Sequence, residues 1–338
     1  MTSGDRPVLV APDKFKGTLS ADEVGAALAR GLAQHRIAAD ICRIADGGEG
    51  TIDAIADQPG VELLFAEVCD ALGAPARARI ALLGDGSALV ESAEAIGVAK
   101  VEVSARTALE AGSRGVGMAI AAAARAGAAR IFVGIGGTAS TDGGAGAVEL
   151  LREQRLVGKR GPLKGCPAIT ALCDVRSAFE LAAPIYAPQK GAGPGEVAQL
   201  QHRLDLLAET LPHDPRGLLM TGAGGGLAGG LWAACGAELK SGAGWVLERA
   251  GFNARLLAAR AVITGEGTLD KQTLLGKAAG EVATRARQAG VPCHAVVGRN
   301  KLSAFDARIL DFESVSEAGT PEAIASAAKR LASQLPAW

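Results

Sequence analysis

The apolar run Val8-Leu9-Val10-Ala11 is followed at once by Asp13, Lys14 and Lys16, and then by Ser20-x-x-Glu23. A strand that is apolar at every position is buried on both faces, as in a parallel sheet covered by helices on two sides. Ser20 and Glu23 have the spacing of a capping box, so a helix starts there. Val24, Ala27, Leu28, Gly31 and Leu32 continue it at helical spacing. Ile41–Ile44 predicts a second strand, and "ADGGEGT" (45–51) leads into a short helix from Thr51. Strand, helix, strand, helix is the opening of a doubly wound α/β sheet.

Near Pro59–Gly60 the texture changes. "VELLFAEV", "ARARIALL" and "SALVESA" are short runs separated by turn residues, and they predict antiparallel strands. An alanine-rich helix is expected from Thr107 to Ala126, then the strand "RIFVGI", a helix ending near Arg155, and the buried strand "AITALCDV". Glu196–Leu211 predicts an amphipathic helix, and Gly222–Gly230 opens another. The tail returns to the first texture: "AVITGEG", a helix from about Lys277, "PCHAVVG", and a helix over Pro321–Leu331. The expected fold class is α/β with two α/β domains. One, residues 1–60 plus 250–338, is built from both chain ends, and residues 61–249 form an inserted domain with a mixed sheet.

The formal net charge of −1 over 338 residues offers no global attraction to nucleic acid or an anionic membrane. Aromatic residues are only 3%, which argues against base stacking. No window of 18 apolar residues lacks charge, so no membrane span is expected. The six cysteines form no C-x-x-C pair and read as reduced thiols of a soluble, cytoplasmic protein. An oligomer is compatible with all of this.

The 46 glycines are about twice the usual ~7% share, and they cluster. Five loops combine them with acids, lysines or both: Asp13–Ser20, Asp46–Thr51, Gly134–Gly146, Asp174 with Ala187–Gly191, and Thr264–Lys277. In open α/β sheets, ligands bind at the carboxyl ends of strands beside a topological switch point. One helix N-terminus favours an anion by about 0.3–1 kcal/mol. Millimolar affinity needs about 4 kcal/mol, so several loops must converge. Gly47, Gly48, Gly136 and Gly137 let backbone N–H groups approach an anion. Lys14, Lys16, Lys190 and Lys277 supply counter-charge, and Ser20, Thr138, Ser140 and Gln189 add polar contacts. Asp46, Glu49, Asp142, Glu266 and Asp270 are the expected Mg²⁺ ligands, because that ion prefers oxygen and keeps several waters.

No nucleophile elbow or Ser-His-Asp set is present, and the four histidines do not suggest a general base, so an aspartate is the better proton acceptor. Phosphoryl transfer suits such a site, since its catalysis is mostly positioning and charge neutralisation. The chain has no Walker A loop: Gly276-Lys277-Ala278 has Lys271 where the first glycine should stand. Gly224–Gly229 does match G-x-G-x-x-G, which leaves an NAD(P)-dependent oxidoreductase as one alternative. A non-catalytic carboxylate- or nucleotide-binding sensor is the other.

"APDKFKGTLSA" (Ala11–Ala21), "ADGGEGT" (Ala45–Thr51), "GIGGTASTDGGAGA" (Gly134–Ala147), "APQKGA" (Ala187–Ala192) and "VITGEGTLDKQTLLGKA" (Val262–Ala278) resemble, in order and along nearly the whole chain, the bacterial glycerate kinase family. The resemblance implies ATP- and Mg²⁺-dependent phosphorylation of D-glycerate, commonly giving 2-phosphoglycerate. It also implies one flavodoxin-like and one restriction-endonuclease-like domain, with the active site in the cleft between them. Carried over by position, the functional residues are Asp13, Lys14, Lys16, Asp46, Glu49, Asp142, Asp174, Lys190, Glu266 and Asp270. On that resemblance Asp174 or Asp13 is expected to take the hydroxyl proton, and Lys16 and Lys190 to contact the reacting groups. Thr141 departs from the family's common asparagine, and Thr268 from its common arginine.

Overall fold

The computed structural model describes residues 6–15 and 17–335; Lys16 lies outside them. The chain divides into two compact units, Met1–Asp46 with Ala243–Trp338, and Gly47–Gly242. The helix Thr51–Ile55 goes with the second unit because the Glu91 carboxylate there accepts the N–H groups of Gly50 and Ile52.

The first unit holds a five-stranded sheet in the spatial order Ser314–Glu317, Cys293–Val297, Ala261–Gly265, Val8–Pro12, Ala39–Ile41. Every neighbouring pair is parallel. Counted along the chain within this unit, that is the order 2-1-3-4-5 of a flavodoxin-like sheet, whose switch point lies between the first and third strands. The continuous apolar runs are explained by alternate burial. Val8, Val10, Ile263 and Val296 pack under the helices Ala21–Ala33 and Pro321–Gln334. Leu9, Ala11, Val262 and Ala295 face the helices Phe252–Ala258 and Ala278–Ala289. The second strand is Ala39–Ile41 rather than Ile41–Ile44. Pairing with Val8–Val10 sets its extent, whereas Cys42 and Ile44 are apolar because they enter the core.

The second unit holds a six-stranded mixed sheet: Glu238–Ser241, Ala168–Cys173, Arg130–Gly134, Ser87–Glu91, Pro75–Leu82, Glu62–Cys69. The first four strands run parallel and the last three are antiparallel neighbours. Ser87–Glu91 therefore belongs to both kinds of pairing, and it is buried at every position. The single helix expected over Thr107–Ala126 is two, Ala105–Glu110 and Arg114–Arg125. Composition favours continuity, but the Asp142 carboxylate captures the Ser113 N–H and hydroxyl, and the Gly112 N–H turns to the Ala71 carbonyl. Among the described residues, no helix is long and apolar enough to cross a membrane.

Candidate active site

In the first unit, Asp13 and Glu266 follow the two strands that flank the switch point. The Asp13 N–H donates to the Gly265 carbonyl, and its Oδ1 accepts the Lys14 N–H at 2.7 Å. Burial, then the neighbouring Asp46, holds the Asp13 carboxyl well above the usual carboxylate range, with Lys14 opposing and Glu266 adding. Glu266 is 6% exposed and accepts the Thr273 hydroxyl at 2.6 Å. Burial pushes it up to about 7; Thr273 and Lys277 pull it down, while Asp270 and Asp46 raise it. Asp13, Lys14, Asp46, Glu266, Asp270 and Lys277 thus share one electrostatic neighbourhood. The Asp270 carboxylate also accepts the Gln272 N–H, closing a local turn.

Ser20 has a different task. It is exposed, and its hydroxyl both accepts the Glu23 N–H and donates to the Glu23 carboxylate. The expected capping box is therefore complete.

In the second unit, three segments meet at the carboxyl ends of parallel strands. An ideal Cβ built on Gly136 would lie 2.8 Å from Asp174 Oδ2 and 2.8 Å from Gly48 Cα. One on Gly134 would lie 2.8 Å from the Gly47 carbonyl oxygen. Gly47 and Gly137 have φ of 92° and 78°, a region where only glycine is at ease. Gly47 and Gly48 are buried, Asp174 is half-buried and Glu49 is exposed. The hydroxyls of Thr138 and Ser140, 3% and 0% exposed, have no hydrogen-bond partner among the described residues. Buried polar atoms are normally satisfied, so two such hydroxyls in one loop set this loop apart.

Lys190 is 5% exposed, and its Nζ donates to the Ser140 carbonyl and the Thr141 hydroxyl. Gln189, beside it, is exposed. The Asp142 carboxylate accepts from Ser113 N–H, Ser113 Oγ, Gly144 N–H and Gly146 N–H. It organises the start of the helix Ala145–Glu153. Gly224, Gly225 and Gly226 all have positive φ, and a Cβ on Gly225 would meet the Ser140 carbonyl oxygen at 2.2 Å. That glycine run serves close backbone packing and follows no strand, so it lacks the context of a dinucleotide fingerprint.

Among the described residues, no group of three or more His, Cys, Asp or Glu could hold a metal ion. The burial of Cys173 beside Asp174 pushes its thiol far up, which makes it a core residue. The reading of the sequence missed Glu91 and Ser92. Their signal was available: "LVES" is a buried apolar strand ending in an acid, the same design as "VAPD" and "LCD".

Residues 8–166 and 160–336 match the model of the glycerate kinase family. The chain is 34% identical over 322 residues to a glycerate kinase of Bacillus subtilis, covering 86% of this chain and 84% of the relative. It is 34% identical over 324 residues to the glycerate 2-kinase of Escherichia coli, with 86% and 84% covered. A solved structure from Salmonella typhimurium LT2, assigned as glycerate kinase 2, superposes with a TM-score of 0.76 at 29% identity and covers 98% of both chains.

Proposed function

The chain belongs to the glycerate kinase family, and from that premise we propose that it transfers the γ-phosphoryl group of ATP to the 2-hydroxyl of D-glycerate, giving 2-phosphoglycerate. The observation that carries the chemical reading is the pair of buried, unpartnered hydroxyls of Thr138 and Ser140 in the loop whose Gly136 abuts Asp174. Phosphate oxygens are the acceptors these donors lack. The Gly47–Gly48 and Gly136–Gly137 backbones cradle the same anion, and Lys190 holds the loop from beneath through the Ser140 carbonyl.

Asp174 accepts the proton of the attacking hydroxyl, and Asp13 is the second candidate. Lys14 and Lys277 balance charge in the first unit, with Lys16 assigned there from its place in the N-terminal motif. Asp142, whose carboxylate already accepts four hydrogen bonds, acts by shaping the loop. Asp46 is the first choice of group for Mg²⁺, with Glu49 as the second. That ion takes one or two carboxylates plus substrate phosphates. When bound, the ion neutralises phosphate charge.

The test is ADP formation by purified protein with ATP, Mg²⁺ and D-glycerate, followed by phosphorus NMR of the product. Turnover yielding 2-phosphoglycerate is expected. A 3-phosphoglycerate signal would overturn the regiochemistry alone, and no ADP across pH 6–9 would overturn the kinase reading. Asp174→Asn retaining full turnover would move the proton acceptor to Asp13.

A further inference from the structure

We propose that Glu91 and Ser92 are positioning residues, and that this single strand end holds two site loops in place at once. Glu91 Oε1 accepts the Gly50 N–H at 2.9 Å and Oε2 accepts the Ile52 N–H at 3.0 Å. The adjacent Ser92 hydroxyl donates to the Gly134 carbonyl at 2.6 Å. One strand end therefore grips the Gly47–Gly50 segment, which carries Glu49, and the first residue of the segment leading to Thr138. In functional terms this rests on the kinase reading above.

The chemistry is specific. A carboxylate offers two acceptors and no donor, which matches two converging backbone N–H groups. Glutamine offers one acceptor and one NH₂, so one backbone N–H would face another donor. Glu91 is 2% exposed, and burying a carboxyl costs free energy that an apolar residue would avoid. The acids facing it, Asp53 and Glu94, are both paired to Arg79, which leaves the Gly50 and Ile52 N–H groups to hold Glu91. Burial first, and those two acids after it, push Glu91 up to about 7, against the pull of the two N–H groups. Gly50, at φ 93°, adopts a turn that has no side chain of its own to fix it. The clamp supplies what the turn lacks.

The experiment compares the full chain with Glu91→Gln and Ser92→Ala. It reads kcat and KM for ATP and glycerate, the thermal transition, and amide hydrogen exchange at Gly50 and Ile52. Glu91→Gln should unfold cooperatively near the parent temperature and exchange one or both amides faster. Its kcat should fall about tenfold or more with little change in the glycerate KM, as for a displaced catalytic loop. Parent kcat with parent amide protection would overturn the proposal. So would a loss of activity that only tracks the fraction unfolded. Should Glu91→Gln not fold, Ser92→Ala carries the same comparison, read at the Gly134–Thr138 amides. The exchange measurement needs no substrate. Faster exchange in a protein whose parent does not phosphorylate glycerate would therefore support the clamp while removing the kinase reading.

Discussion

At the scale of single residues, the site is set by contacts too close to tolerate one methyl group. Gly136→Ala places a Cβ 2.8 Å from Asp174 Oδ2 and from Gly48 Cα, so a loop or the carboxylate must move. We expect turnover to fall by about a hundredfold, the effect of a displacement near 1 Å at a reacting centre. Steady-state kinetics on the folded variant checks it. The buried acids give a pH signature with a definite sign. Glu266 titrates at about 7 in the folded protein, against 4.5 ordinarily. Its contribution to stability is complete below pH 4.5 and is lost as the pH rises through 7. Relative to Glu266→Gln, the parent should therefore lose stability between pH 5 and 7, at no more than about 1.4 kcal/mol per pH unit. Urea midpoints of both proteins at pH 5 and pH 8 measure the difference, and a gap that stays constant would refute the protonated state. Asp13 adds in the same direction.

At the scale of elements, the helix Ala21–Ala33 was legible almost to the residue, because its capping box and apolar stripe are local signals. Its partner was not. Gly31 sits where a Cβ would lie 2.2 Å from the Ala325 carbonyl oxygen and 2.6 Å from the Ala328 Cβ of the helix Pro321–Gln334. In an isolated helix Gly→Ala gains about 1 kcal/mol. Here Gly31→Ala should destabilise by about 1–3 kcal/mol through overpacking. The sign of the change in denaturant midpoint decides between the two. The break between Ala105–Glu110 and Arg114–Arg125 was illegible for a related reason. The sequence there is alanine-rich, and the group that ends the first helix, Asp142, lies 29 residues away in sequence from Ser113. Asp142→Ala leaves the N–H groups of Ser113, Gly144 and Gly146 without their acceptor. At about 1–3 kcal/mol for each buried unsatisfied group, a lower thermal midpoint and lost activity should appear together.

At the scale of the whole molecule, the two candidate proton acceptors fall in different compact units. Asp13 belongs to the first unit and Asp174 to the second. Groups that act as one constellation are strongly non-additive. With Asp174 as the proton acceptor, the double variant Asp13→Asn/Asp174→Asn should turn over no more slowly than Asp174→Asn alone. Losses that multiply would instead mean two independent contributions. By itself the sequence determined the fold class, the parallel sheet built from both chain ends, and the glycine-acid loops, because strand periodicity, helix caps and loop composition act over a few neighbouring residues. Only the tertiary structure decided which of those polar groups has a task of its own. Asp142 breaks a distant helix, Gly224–Gly226 pack against a neighbouring loop, and Glu91 grips the Gly47–Gly50 turn. A hydrogen-bond acceptor is used by whichever donors the fold brings near it, and those donors are far away in the sequence.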